Sequence, residues 1–252
     1  MDYSNKIKFL INSTKKNIDV VLEKLITSFY EQNSQNFIIK NTDILVVVND
    51  CDEISFKKCD KYCILYVKHN SIDFTALIAV IEHIYSLIDN DFEIPDYWFY
   101  MHDTCKLGSN FLNLLETYIE KLYNYNLNTL SLTYVKSMNI GIYKYNYLLN
   151  KKNIVLNLRS QDNPPMSQIQ ELKKVGVALE DILFKNDDYR LHFFDYINSM
   201  MYPHLHDRTY VSEPKNIYEK SDIKRIEEYF ANIDFYKYKA NWELKKEYIL
   251  DP

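Results

Sequence analysis

Three groups of residues have the types and spacing that chemistry needs. The first is His102-Asp103-Thr104, which ends the aromatic run Asp96-Tyr97-Trp98-Phe99-Tyr100-Met101. Aromatic, β-prone residues between Pro95 and a polar stretch spell a buried strand, and open α/β sheets keep ligands at the carboxyl ends of their strands. A carboxylate there suits a hard divalent cation, or a diphosphate held through that ion, because such cations share oxygen ligands with substrate phosphates. The competing role for Asp103 is to cap the helix that starts soon after it. The second group is the acidic pair Glu180-Asp181. Either carboxylate can take a proton from an attacking hydroxyl, or both can complement a helix N-terminus. The third group is late in the chain. His204 and His206 are alternate residues of an extended segment, point the same way and suit a metal; exposed loop histidines are the alternative. Lys237, Lys239 and Asn241 alternate within Phe235-Tyr236-Lys237-Tyr238-Lys239-Ala240-Asn241-Trp242, where ammonium groups offset a diphosphate's charge or form a solvated face backed by Tyr and Trp.

The elements that must position these groups alternate between strand and helix. Lys6 to Ile11 is an apolar first strand closed by Asn12-Ser13-Thr14, and Val20 to Phe29 recurs at helical spacing with Asp19 as its cap. Ile44 to Val48 is a β-branched run typical of a strand covered on both faces, and it stops at Asn49-Asp50. Cys63 to Val67 makes a third strand before His69-Asn70-Ser71-Ile72-Asp73, and Thr75 to Ile88 reads as a helix. This β-α-β-α-β-α-β rhythm leading into the Trp98 strand predicts a doubly wound α/β fold, a mostly parallel sheet flanked by helices. Leu107 to Tyr123 reads as a helix, Thr129 to Tyr134 as a strand, and Ser137 to Tyr143 follows with Gly141. In a chain with only three glycines, Gly141 marks a place where a Cβ would clash with a ligand or with a neighbouring strand. Gln161-Asp162-Asn163-Pro164-Pro165 is a loop before a helix that leads to Glu180-Asp181, and Arg225 to Trp242 is amphipathic.

Composition sets the outer bounds. A chain of 252 residues with 47% hydrophobic content buries a full core, as one large α/β domain or two small ones. A net charge of -5 provides no general attraction to nucleic acid, so any phosphate binding is local. No apolar stretch approaches the ~20 residues of a membrane span, and the polar start lacks a signal-peptide core, so the expectation is a cytoplasmic protein. Cys51, Cys59, Cys63 and Cys105 are too few and too irregular for a disulfide scaffold, and Cys59-Asp60-Lys61-Tyr62-Cys63 has no second ligand pair to complete a zinc site. The wealth of Asn, Ile, Lys and Tyr fits coding from an AT-rich genome, such as a large virus, which would place the protein in host cytoplasm, or an AT-rich microbe.

An N-terminal nucleotide-binding half, an Asp at the end of a central strand, a Gly-bearing strand, a Glu-Asp pair and a late His-bearing loop together resemble the GT-A class of nucleotide-sugar glycosyltransferases. The resemblance implies one domain over 1–252, with residues 1–105 binding nucleotide and 106–252 binding acceptor and closing the site. In that family an Asp-x-Asp element holds a divalent cation, manganese or magnesium, and the sugar diphosphate. The matching segment is His102-Asp103-Thr104, with one acid where the motif has two. By the same resemblance Asn12, Ser13, Asn49 and Asp50 line the base and ribose pocket, and Asp73 sits near the ribose or diphosphate. Glu180 or Asp181 supplies the base of an inverting transfer to a glycan or other hydroxyl acceptor. His204 and His206 join Asp103 as metal ligands, and Arg208, Lys237 and Lys239 face the phosphates. The Tyr-rich end suits a homo-oligomer interface. Two other readings stay open: a nucleotidyltransferase that makes the activated sugar, against which the Gly-free Asn12-Ser13-Thr14 counts, and a non-catalytic carbohydrate-binding or assembly module on the same fold.

Overall fold

The computed structural model describes residues 6–15, 18, 22–32, 38–132, 139–187, 191–192, 208–210 and 225–240. Its main sheet is built from β1 (Ile7–Thr14), β2 (Ile44–Asn49), β3 (Ser55–Lys58), β4 (Cys63–Tyr66), β5 (Tyr97–His102), β7 (Thr129–Ser131), β8 (Gly141–Lys144) and β9 (Leu191–His192). They lie in the order β3-β4-β2-β1-β5-β8-β7-β9. The central run β4-β2-β1-β5 is parallel throughout, and β8 is antiparallel to both β5 and β7. Strand order therefore reverses at β1 and β5. The chain winds outward to β4, then returns to the other side of β1, which opens a crevice at the carboxyl ends of these two strands.

Both faces of the sheet are covered, as the unbroken apolar runs require. Because successive side chains point to opposite faces, Phe9, Ile11, Val46, Val48, Phe99 and Met101 face one layer, with Leu25, Ile26 and Phe29 and the helix α4 (Phe111–Asn124). Leu10, Leu45, Val47, Trp98, Tyr100 and Tyr143 face the other, with α2 (Thr75–Glu82), α5 (Tyr145–Asn150), α6 (Lys152–Leu156) and α8 (Ile182–Lys185). Helix α2 is apolar on nearly all sides because it is enclosed by the sheet and by α5 and α6. A second sheet of four strands, β10 (Arg208–Tyr210), β11 (Arg225–Phe230), β12 (Phe235–Ala240) and β6 (Cys105–Leu107), is antiparallel and joins the end of the chain to the segment just after β5.

Several expectations change in detail. Strand β1 runs on through Asn12 and Ser13 to Thr14, so these are strand residues and not a turn. No helix separates β2 from β4. The short polar stretch between them forms the edge strand β3, antiparallel to β4, since so few charged residues cannot cover the sheet with a helix. The helix expected over Thr75 to Ile88 breaks at His83 into α2 and α3 (Ile84–Asp89). The one expected from Leu107 begins at Phe111, because Cys105–Leu107 pairs with β12 as a strand. In the first crossover, a π-helical turn Leu22–Ile26 precedes α1 (Thr27–Tyr30), and Asp19 lies outside the described residues. The amphipathic C-terminal stretch is the hairpin β11-β12, turned at Asp234 in the left-handed region.

Candidate functional site

The carboxyl ends of β1 and β5 bring together Asn12, Ser13, His102 and Asp103. Ser13 Oγ donates to Asp103 Oδ2 at 3.1 Å, and the Asp103 amide donates to the Asn12 carbonyl at 2.9 Å, so the turn after β5 is tied to the end of β1. Both Ser13 and Asp103 are buried.

Asn12 reaches in the other direction. Its Nδ2 donates to the Ile72 carbonyl at 3.0 Å and its Oδ1 accepts from the Ala76 amide at 3.0 Å. The first amides of a helix have no partner within it, and Asn12 supplies one to α2 from across the sheet. Both ends of its amide are thereby engaged, which makes Asn12 a positioning residue for the loop that carries Asp73. That loop is strained. Ile72 has φ +53, a conformation that β-branched residues avoid. It is held there by Asn12, by Thr75 Oγ1 donating to its carbonyl and by Asn70 Oδ1 accepting from its amide. Strain of about 1–3 kcal/mol persists only where surrounding bonds over-determine it, and such places concentrate at ligand sites.

The result is a fixed Asp73. Its carbonyl accepts from Tyr100 Oη and from Asn139 Nδ2, the latter at 2.5 Å. Because the amide nitrogen of Asn139 is thus assigned, its Oδ1 faces His102 Nε2 as an acceptor at 2.9 Å, and Nε2 carries the proton. The other ring nitrogen, Nδ1, faces Asp73 Oδ1 at 3.8 Å. Burial holds the His102 pKa down to about 4, with Lys237 lowering it further and Asp73 opposing. The imidazole is therefore neutral near pH 7, and the His102–Asp73 contact is a pair of acceptors and not an ion pair. Asp73 is about one-third exposed, so its carboxylate reaches solvent while His102 stays buried behind it.

Next to it, Asn49 and Asp50 end β2. Asn70 links them, accepting from Asn49 Nδ2 at 3.2 Å and donating to Asp50 Oδ2 at 2.7 Å. The buried Asn49 Oδ1 has no hydrogen-bond partner among the described residues, while Asp50 is exposed with φ +57.

Of the late cations, Lys237 is the one whose side chain is described, and in β12 it lies between Cys105 of β6 and Glu228 of β11. It pairs in register with Cys105, two residues past Asp103, is 8% exposed, and influences both His102 and Cys105 electrostatically. Arg208 lies in β10 and Lys239 in β12, with side chains outside the described set; His204, His206 and Asn241 lie outside the described residues.

Asp181 and Glu180 stand apart from this cluster. Asp181 is buried, its Oδ1 is 2.7 Å from Lys185 Nζ, and its charge helps to hold the Tyr143 phenol protonated, after burial and Tyr147. It flanks α8 without capping it through a hydrogen bond. Tyr143 in turn donates to the Asn139 carbonyl at 2.5 Å. The acid is thus one layer behind Asn139, on the β8 side of the crevice. Helix α7 (Met166–Leu179), which leads to it, packs against the Ile72–Phe74 turn.

Of the residues expected to hold a divalent cation, Asp103 alone lies within the described set. Among the described residues no group of three or more His, Cys, Asp or Glu side chains gathers for a metal. The turn offers the single carboxylate of Asp103, which already accepts from Ser13. All four cysteines are free, and Cys59 and Cys63 sit at the turn of the β3-β4 hairpin with no third ligand.

Asn139 is the residue the sequence reading passed over. Its signal was weak: a lone amide two residues before Gly141 in an otherwise apolar stretch.

No protein-family model matches this chain, and no curated protein matches it. Among solved structures, S. aureus TarS superimposes with a TM-score of 0.41 at 12% identity, over 74% of this chain and 35% of the other. The structure of S. aureus TarS 1-349 does so with a TM-score of 0.38 at 11% identity, over 72% and 66%. The chain thus spans about a third of the length of the first and just under two thirds of the second.

Proposed function

We propose that this protein is a glycosyltransferase that moves a sugar from a nucleoside diphosphate sugar to an acceptor hydroxyl with inversion. The observation that carries the reading is the His102–Asp73 acceptor pair at the point where strand order reverses. Two acceptors 3.8 Å apart, one a neutral imidazole, call for a ligand that brings a hydroxyl or N–H between them, and nucleotide sugars carry many. The overwound Ile72 turn and the four bonds of Asn12 and Asn139 support the same reading, since they fix the pair before any ligand arrives.

In the reaction, the acceptor oxygen attacks the anomeric carbon. The bond from that carbon to the diphosphate oxygen breaks, its electron pair leaves with the nucleoside diphosphate, and the hydroxyl proton passes to a carboxylate. We assign that carboxylate to Asp181, with Glu180 as its neighbour. Attack opposite the leaving group inverts the anomeric centre.

The test is thermal unfolding of the purified chain against a panel of nucleoside diphosphates and nucleotide sugars, followed by direct detection of released nucleoside diphosphate. A ligand that binds only the native state raises the midpoint. A shift with one nucleotide sugar, and its loss in Asp73→Asn, supports the reading. Pyrophosphate release from a sugar phosphate and a nucleoside triphosphate would replace it with nucleotidyl transfer, and no shift with any nucleotide would leave a binding module.

A further inference from the structure

We propose that Ser160 is a positioning residue: it clasps the two residues that precede Ile72 and thereby holds the strained turn, and with it the His102–Asp73 pair, in the form that receives a ligand. That role rests on the nucleotide-sugar reading above and names what keeps its acceptor pair in place.

The clasp is reciprocal. The Ser160 amide donates to Ser71 Oγ at 2.9 Å, and the Asn70 amide donates to Ser160 Oγ at 3.0 Å. One residue thus engages two consecutive members of the loop after β4, through its backbone and its side chain. Neighbouring contacts extend the pairing. The Asn163 amide donates to the Lys68 carbonyl at 3.1 Å, and His69 forms an antiparallel bridge with Asp162, so residues 68–71 are zipped to 160–163. Ser160, Ser71 and Asn70 are 2%, 3% and 8% exposed, and water cannot stand in for a partner lost there.

What the clasp holds follows from the bonds around Ile72. Asn70 Oδ1 accepts from the Ile72 amide, and the Phe74 amide donates to the Ser71 carbonyl. A shift of Asn70 or Ser71 therefore carries the turn with it. A β-branched residue at φ +53 leaves that conformation when the bonds around it loosen. The Asp73 carbonyl comes next, and it is the group that fixes the Asn139 amide nitrogen and so the His102 tautomer.

Ser160 is itself anchored. Arg159 donates to the Ser160 carbonyl at 2.7 Å, to Glu82 Oε2 at 2.9 Å and to Asp162 Oδ1 at 2.8 Å. Glu82 is the last residue of α2, and Asn12 bonds the amide of Ala76 in its first turn. The two holders of the Ile72 turn are thus tied to the two ends of one helix.

The experiment combines amide hydrogen exchange and nitrogen NMR of the histidine rings on the whole chain, with calorimetric titration against UDP, GDP, ADP and CDP. In Ser160→Ala the Ile72 and Phe74 amides should exchange roughly tenfold faster than in the parent, the worth of one buried hydrogen bond, while amides of β1 and β2 change far less. His102, protonated on Nε2 in the parent, should become a mixture of tautomers, and the diphosphate that binds the parent should lose roughly three- to tenfold in affinity. Ser160→Thr keeps the hydroxyl and should restore all three. Ser71→Ala, which removes the acceptor of the Ser160 amide, is the independent variant and should reproduce the pattern of Ser160→Ala. Equal acceleration in the turn and in β1 and β2, with His102 unchanged, marks a merely structural role and overturns the proposal. Unchanged exchange at Ile72 in both alanine variants overturns it as well. If none of the four diphosphates binds the parent, the nucleotide-sugar reading falls, while exchange and tautomer still decide whether Ser160 holds the pair.

Discussion

His102 and Asp73 meet acceptor to acceptor, with the bare Nδ1 of the imidazole 3.8 Å from the Asp73 carboxylate. The arrangement follows from a relay that starts at the Asp73 carbonyl, which takes the Asn139 amide nitrogen and so turns the Asn139 oxygen toward His102. The bonds that fix Asp73 all use its backbone, so its side chain can be changed without dismantling the loop. Asp73→Asn places an amide N–H against His102 Nδ1 and removes the opening for a ligand donor. Affinity for the nucleotide sugar should drop roughly tenfold, the worth of one hydrogen bond to a charged group, while the melting temperature stays within a few degrees of the parent. Calorimetry and a thermal melt on the same sample check the two halves.

Two buried imidazoles tie stability to pH. His69 and His102 both have pKa values pushed down to about 4, in each case chiefly by burial. The unfolded chain binds these protons near pH 6.5, so between pH 6.5 and about 4 it holds more protons than the folded chain, and stability falls as pH falls through that window. Each histidine contributes a loss of about 3 kcal/mol once pH is below 4. Above pH 7 the pair should leave no slope. Urea midpoints across pH 4 to 8 measure the effect, and His102→Gln should remove about half of it.

Much of this architecture was legible because its signals were local. The run Ile44 to Val48 can only be a strand covered on both faces, and the aromatic run ending in His102 is one as well. Together with β1 and β4 they specify the parallel core. The β6–β12 pairing was not legible. It joins Cys105–Leu107 to residues some 130 positions later, and nothing in a three-residue segment before a helix announces a distant partner. The candidate site was legible in part. Asn12, Asp73, His102 and Asp103 were named from the sequence, but the bonds by which Asn12 holds Ile72 and Ser13 meets Asp103 were not, and Asn139, which sets the His102 tautomer, has no motif at all.

Gly141 resolves an alternative that the sequence left open. Its φ is +155, and a Cβ built there would lie 2.4 Å from the Leu130 carbonyl oxygen and 2.9 Å from Phe184 Cζ. The close neighbour is the backbone of strand β7. Gly141→Ala must push β7 away from β8 or shift Phe184, which stacks 4.8 Å from Tyr143. The expected cost is about 3 kcal/mol, or roughly 6 to 12 °C in melting temperature. Nucleotide affinity measured well below the transition should change far less than stability.

Asp181 provides the sharpest test of the transfer step. Its carboxylate stands behind Tyr143 and Asn139 on the β8 side, with one oxygen on Lys185. If it takes the acceptor's proton, Asp181→Asn keeps the shape and the contact to Lys185 but cannot accept a proton, so turnover should fall roughly a hundred- to ten-thousand-fold with donor affinity unchanged. Stability should change little, because the amide oxygen still accepts from Lys185, whose ammonium is 45% exposed and screened by water. Glu180→Gln is the control, expected to keep most of the activity. A reversed pair of results, with Glu180→Gln inactive and Asp181→Asn active, moves the base by one residue. Full activity in both variants removes the acid pair from the reaction and sends the search for the base back to Asp73, the partly exposed carboxylate beside His102.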